Sequence, residues 1–172
     1  EKLHAMFPNL LSNTYDFVID IYKESKTIKE HPEFVRIGRD GQPAPAWYGQ
    51  GYVNGNYSRA YFDYVTDGLL RSGDYYGLDL CYLDFGVGMI TPDWGTGHIA
   101  TLGEQLGFSK RLRDELHKRN KLLWLNAFTG QPYADVGYFE CSIGPASCVS
   151  GTTRLIRAPS SRARARRGRW GG

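Results

Sequence analysis

Cysteine and histidine are scarce in this chain. Cys81, Cys141 and Cys148 are an odd set of three, and no pair of them has metal-knuckle spacing. His4, His31, His98 and His117 are scattered, with no His-x-x-x-His pair. These absences argue against a dedicated metal centre. No apolar run approaches the roughly 20 residues that cross a bilayer, so no membrane partner is expected. A Gly-x-Ser-x-Gly elbow is also missing, which excludes the hydrolase type built on it. Asp84-Phe85-Gly86 has no upstream His-Arg-Asp loop, so a kinase reading fails. Gly86-Val87-Gly88 breaks at Thr91-Pro92 and is no dinucleotide fingerprint. No cofactor is called for.

Acidic residues are missing from one region altogether. All 18 lie in 1–140 with 14 of the 21 Lys and Arg, a net charge of −4. Residues 141–172 hold seven Arg and no acid, hence +7. The organisation read from this is an ordered unit over 1–140 and a low-complexity, disordered basic tail over 141–172. Nucleic-acid binding through that tail is the disfavoured alternative. The chain starts Glu1-Lys2-Leu3 without an initiator Met, and an amino-terminal piece is expected to be missing.

What is present is aromatic. Phe, Trp and Tyr make up 14% of residues, with 12 Tyr and 4 Trp. Rings of this kind either fill a core or stack on flat apolar sugar faces.

Periodicity predicts a helix over 12–29 from the Tyr15, Val18, Ile19, Tyr22 stripe. It predicts another over 57–71, capped by Asn56 or Ser58, and a third over 109–119 capped by Ser109 and closed by Asn120. Phe34-Val35-Arg36-Ile37 reads as a short strand, and Asp40-Gly41 as a turn inside a long loop over 30–55. Leu80-Cys81-Tyr82-Leu83-Asp84 and Lys121-Leu122-Leu123-Trp124-Leu125-Asn126 read as buried strands with polar ends. Helices alternating with continuous apolar strands imply an α/β fold with a parallel sheet covered on both faces. Asp84 and Asn126 end equivalent strands, so the carboxyl edge of the sheet is the expected site. Asn126 alone could equally start a turn. Val136-Gly137-Tyr138-Phe139-Glu140 again ends in an acid. A pair of carboxyls, Asp84 with Asp93, Asp135 or Glu140, would suit general acid and nucleophile or base roles.

Four segments carry a resemblance. They are His31-Pro32-Glu33-Phe34-Val35-Arg36, Arg39-Asp40-Gly41-Gln42-Pro43, Asn54-Gly55-Asn56-Tyr57-Ser58-Arg59 and Leu80-Cys81-Tyr82-Leu83-Asp84-Phe85. Together they resemble the middle of a (β/α)8-barrel glycoside hydrolase of the α-galactosidase-like group, over about 28–140. The resemblance implies a segment of an incomplete TIM barrel, since such barrels need about 250 residues. It implies an isolated fragment that is weakly stable and inactive. It implies a carbohydrate substrate, with Asp84 as the nucleophile ending the fourth barrel strand and Glu140 as the acid. Trp47, Asn56, Asp93, Trp94, Asn126 and Tyr133 are the candidate sugar-binding residues. A carbohydrate-binding barrel without a working acid is the alternative.

Overall fold

The computed structural model describes residues 2–84, 91–126, 132–138 and 154–155. Its elements in chain order are α1 (Lys2–Met6), β1 (Asn13–Phe17), β2 (Asp20–Tyr22), α2 (Lys26–Glu30), a 3-10 turn (Pro32–Phe34), β3 (Tyr52–Asn54), α3 (Arg59–Tyr75) and β4 (Leu80–Asp84). There follow β5 (Thr91–Pro92), β6 (Ile99–Ala100), α4 (Leu102–Lys118), β7 (Leu122–Asn126), β8 (Val136–Tyr138) and β9 (Arg154–Leu155).

The main sheet runs β1-β4-β7-β8-β9. Its first four strands pair in parallel and in chain order, and β9 closes one edge antiparallel. This is the α/β fold expected, with a four-stranded parallel sheet and flanking helices. The tail assigned to 141–172 lies outside the described residues except for β9.

Pleating divides the sheet into two faces. Cys81, Leu83, Leu123 and Leu125 point to one and are buried with Phe62 of α3 and with Phe108, Leu112 and Leu116 of α4. Phe62 stacks on Phe108 at 4.4 Å. Burial pushes the Cys81 thiol's pKa up, with nearby Asp16 adding to the effect. The other set of side chains is aromatic. Register places Tyr15 beside Tyr82 and Tyr82 beside Trp124, and their rings touch at 5.5 and 4.9 Å. Helical cover was expected on both faces; among the described residues α3 and α4 both lie on the Cys81 and Leu83 face, so the expectation is met on that face alone.

Three expectations are corrected. The helix over 12–29 is instead β1, β2 and the short α2. Tyr15 and Phe17 sit two apart, so they also fit a strand. Pairing of β1 with β4 supplies hydrogen bonds that outweigh a helical stripe containing β-branched Val18 and Ile19. Ser109 does not cap α4. It is fully buried inside the helix and donates to the Gln105 carbonyl. Thr101 is the cap, in a reciprocal capping box with Glu104. The strand expected over 34–37 is a 3-10 turn followed by isolated bridges from Val35 and Ile37.

Other signals hold. Ser58 caps α3, with Asn56 accepting from the Ser58 N–H just ahead of it. Gly41 takes φ +76° in the Asp40-Gly41 turn, and Asn120 ends α4 with φ +57°. Only nine residues separate Asn126 from Val136, yet β8 still joins β7 in parallel.

Candidate active site

Register sets one row of residues along the carboxyl edge: Phe17, Asp84, Asn126 and Tyr138. Asp84 is only 8% exposed. One of its oxygens accepts from Asn126 Nδ2 at 2.7 Å. The other accepts from the Tyr15 hydroxyl at 2.5 Å. Tyr15 lies one pleat back on β1, and its hydroxyl also meets that of Tyr48 at 2.8 Å. Desolvation, the bond to Asp84 and the contact with Tyr48 push the Tyr15 phenol above the ordinary tyrosine range. It therefore stays protonated and able to donate.

Tyr48 reaches this edge from the long loop. Its N–H donates to Asp20 at 2.9 Å, and its ring meets Phe17 at 4.5 Å and Tyr52 at 5.7 Å. Trp47 beside it is 70% exposed. Trp94 is also exposed, with the Arg39 guanidinium 5.7 Å above its ring. A carboxylate held on both oxygens can attack an electrophilic carbon, and exposed rings can stack on a polyol.

Of the residues singled out from the sequence, Asp84 and Asn126 are brought together. Trp47 stands next to Tyr48 on the loop that meets Tyr15. Asn56 is buried and committed elsewhere: its amide donates to the Glu33 carbonyl at 2.7 Å and its oxygen accepts from Ser58. Asp93 is 2% exposed and braces a loop, accepting from Ile37 N–H, Gly95 N–H and the Thr96 hydroxyl. Desolvation would raise its pKa, but those bonds outweigh it and hold the carboxyl below its ordinary range. Asp135 is buried at the opposite edge, bonded to Leu123 N–H, Arg113 and His117. Tyr133 is half-buried ahead of β8. Glu140 lies outside the described residues. Among the described residues no group of three or more His, Cys, Asp or Glu could hold a metal ion, and no helix is long and apolar enough to cross a membrane.

Tyr15 and Tyr48 were not singled out from the sequence as site residues. Tyr15 precedes Asp84 by 69 positions, and only the register of β1 with β4 joins them. Two aromatics spaced by two in Asn13-Thr14-Tyr15-Asp16-Phe17 were the available signal for that strand.

No family model and no curated protein matches the chain. Solved structures do. One is a cycloisomaltooligosaccharide glucanotransferase from Paenibacillus sp. solved with cycloisomaltoheptaose. It aligns with TM-score 0.60 and 12% identity over 76% of this chain and 22% of its own. A maltogenic α-amylase from Thermotoga neapolitana aligns with TM-score 0.58 and 16% identity over 78% of this chain and 29% of its own. An α-N-acetylgalactosaminidase from Bifidobacterium bifidum aligns with TM-score 0.51 and 22% identity over 67% of this chain and 19% of its own. The resemblance to glycoside hydrolases read from the sequence is therefore met in fold. The chain spans less than a third of the length of each of these structures.

Proposed function

We propose that this chain is part of a (β/α)8-barrel glycoside hydrolase and carries its catalytic carboxylate, Asp84. The observation that supports this most is local. A buried Asp ends a parallel strand, held on both oxygens by Tyr15 and Asn126, at the edge where α/β folds place their sites. The structural neighbours include an α-amylase and an α-N-acetylgalactosaminidase, so an α-linked glycoside is the substrate class proposed.

In this reading Asp84 attacks the anomeric carbon as the glycosidic bond breaks. A second carboxyl protonates the leaving oxygen and later activates water. Glu140, two positions beyond the end of β8, is the proposed acid, on its place in the sequence. A retaining outcome requires the two carboxyls about 5–5.5 Å apart. Trp47 and Trp94 are the proposed stacking surfaces, Asn126 a polar contact, and Tyr133 a wall residue of the same sugar site.

A non-catalytic sugar-binding role is the second reading. It rests on the exposed rings of Trp47 and Trp94, which can stack on a sugar without any reacting carboxyl. The test, which also decides the inactivity that the resemblance implied for an isolated fragment, uses the full chain with a 2-fluoro α-glycosyl fluoride, which traps a nucleophilic carboxylate as a covalent ester. A mass increase mapped to Asp84 and absent in Asp84→Asn supports the enzyme. Saccharide binding by tryptophan fluorescence with no adduct supports the second reading.

A further inference from the structure

Asp84 as a carboxylate is an acceptor only, and Tyr15 has a single hydroxyl proton. That proton is committed to Asp84. The contact between the Tyr15 and Tyr48 hydroxyls must then have Tyr48 as its donor. The bonds run in one direction, from Tyr48 to Tyr15 to Asp84. Tyr48 is held in turn by Asp20 through its backbone N–H, and Asp20 accepts from Asn54 Nδ2 at 3.0 Å. A relay of hydroxyls thus links the loop that presents Trp47 to the carboxylate at the strand end.

We propose that Tyr15 is the positioning residue of Asp84 and that Tyr48 makes the carboxylate's orientation depend on the loop that carries Trp47. This rests on the reading of Asp84 as a catalytic carboxylate. A carboxylate turns about its Cβ–Cγ bond at little cost. Donors on opposite oxygens, Asn126 on one and Tyr15 on the other, fix its plane before a substrate arrives. Without Tyr15, one anchor remains among the described residues and the plane is free to swing. Tyr48 orients the Tyr15 hydroxyl by occupying its accepting side. A ring-stacked sugar that shifts Trp47 shifts Tyr48 with it, because the two are adjacent. Occupancy of the sugar site and alignment of the carboxylate are thereby coupled.

The test is carboxyl footprinting of the full chain with a water-soluble carbodiimide and glycine ethyl ester, each Asp and Glu quantified by peptide mass. In Tyr15→Phe, labelling of Asp84 is expected to rise about tenfold, the equivalent of one hydrogen bond to a charged group. Labelling of Asp93 and Asp135, whose partners are elsewhere, is expected to stay level. Tyr48→Phe should raise Asp84 alone, by a smaller factor. An Asp84 signal equal to wild type in Tyr15→Phe overturns the proposal. If Tyr15→Phe loosens the whole fold, all three Asp signals rise together. The half-exposed Tyr48 then decides, with an unchanged Asp84 footprint in Tyr48→Phe also overturning it. The 2-fluoro glycosyl adduct separates this from the catalytic reading. An adduct with an unresponsive footprint keeps the nucleophile and removes the clamp. A responsive footprint without an adduct keeps the clamp and removes its catalytic purpose.

Discussion

The two ends of the parallel sheet both carry buried or half-buried aspartates, and they use them differently. At the amino end, Asp79 accepts from the Ser12 N–H, the Ser12 hydroxyl and His4. Asp135 accepts from the Leu123 N–H, Arg113 and His117. Each fixes backbone to backbone across elements. At the carboxyl end, the partners of Asp84 among the described residues are two side chains, Tyr15 and Asn126. An acid that bonds main chain holds a fold together. An acid aligned by side chains alone leaves the fold little dependent on its charge, which suits a reacting group.

Breaking this contrast calls for exchanging the two kinds of acid. The largest effect is expected at the carboxyl end: Asp84→Asn should cut glycosyl trapping by at least about a thousandfold. Its unfolding midpoint in urea should move by less than about 1 kcal/mol equivalent. A large loss of stability there would make Asp84 a structural acid like the others. Asp135→Ala should do the reverse. It leaves the buried Leu123 N–H without its acceptor and Arg113 and His117 without their partner, and should cost about 1–3 kcal/mol in urea unfolding, with saccharide binding retained in the folded fraction.

Acid sharpens the comparison further. Asp79 loses solvation, but bonds from Ser12 and His4 outweigh that and depress its pKa, as the loop bonds do for Asp93. A depressed carboxyl stabilises the fold above its unfolded value, near 3.9, and that contribution is lost as pH falls through the lower folded value. Thermal stability should therefore be flat above about pH 5 and decline below about pH 4, and Asp79→Asn should flatten the decline. The smallest effect is reserved for Trp47→Ala. At 70% exposure its loss should leave the melting temperature unchanged and weaken saccharide binding several-fold, about 1 kcal/mol.

The difference between the ends also explains what the sequence disclosed. β4 and β7 were readable because continuous apolar residues bury one face and carry rings on the other, and their polar ends stood out. β1 was not, because Asn13, Thr14 and Asp16 mix polar groups into a strand whose identity comes from pairing with residues more than 60 positions away. Asp84 and Asn126 were legible as strand termini. Asp93 and Asp135 looked equally available, since nothing in a sequence shows which backbone N–H groups an acid will meet. Tyr15 enters only through register, and Tyr48 only through the way the long loop folds back onto it. The start of α4 was legible in principle, because Thr101 and Glu104 have the spacing of a capping box. Ser109 competed with that signal and lost to burial.

The order of strands in the sheet has one more consequence. Because β1, β4, β7 and β8 stand side by side in the order of the chain, each strand with its following segment leans chiefly on the one before and the one after. In such an array the contacts between strands are those of nearest neighbours in the sheet. Units of this kind can be spliced at their boundaries, and a break should disturb mainly the strand left at the seam. Recombination between related chains at the start of β4 or β7 would then conserve most of the packing on either side.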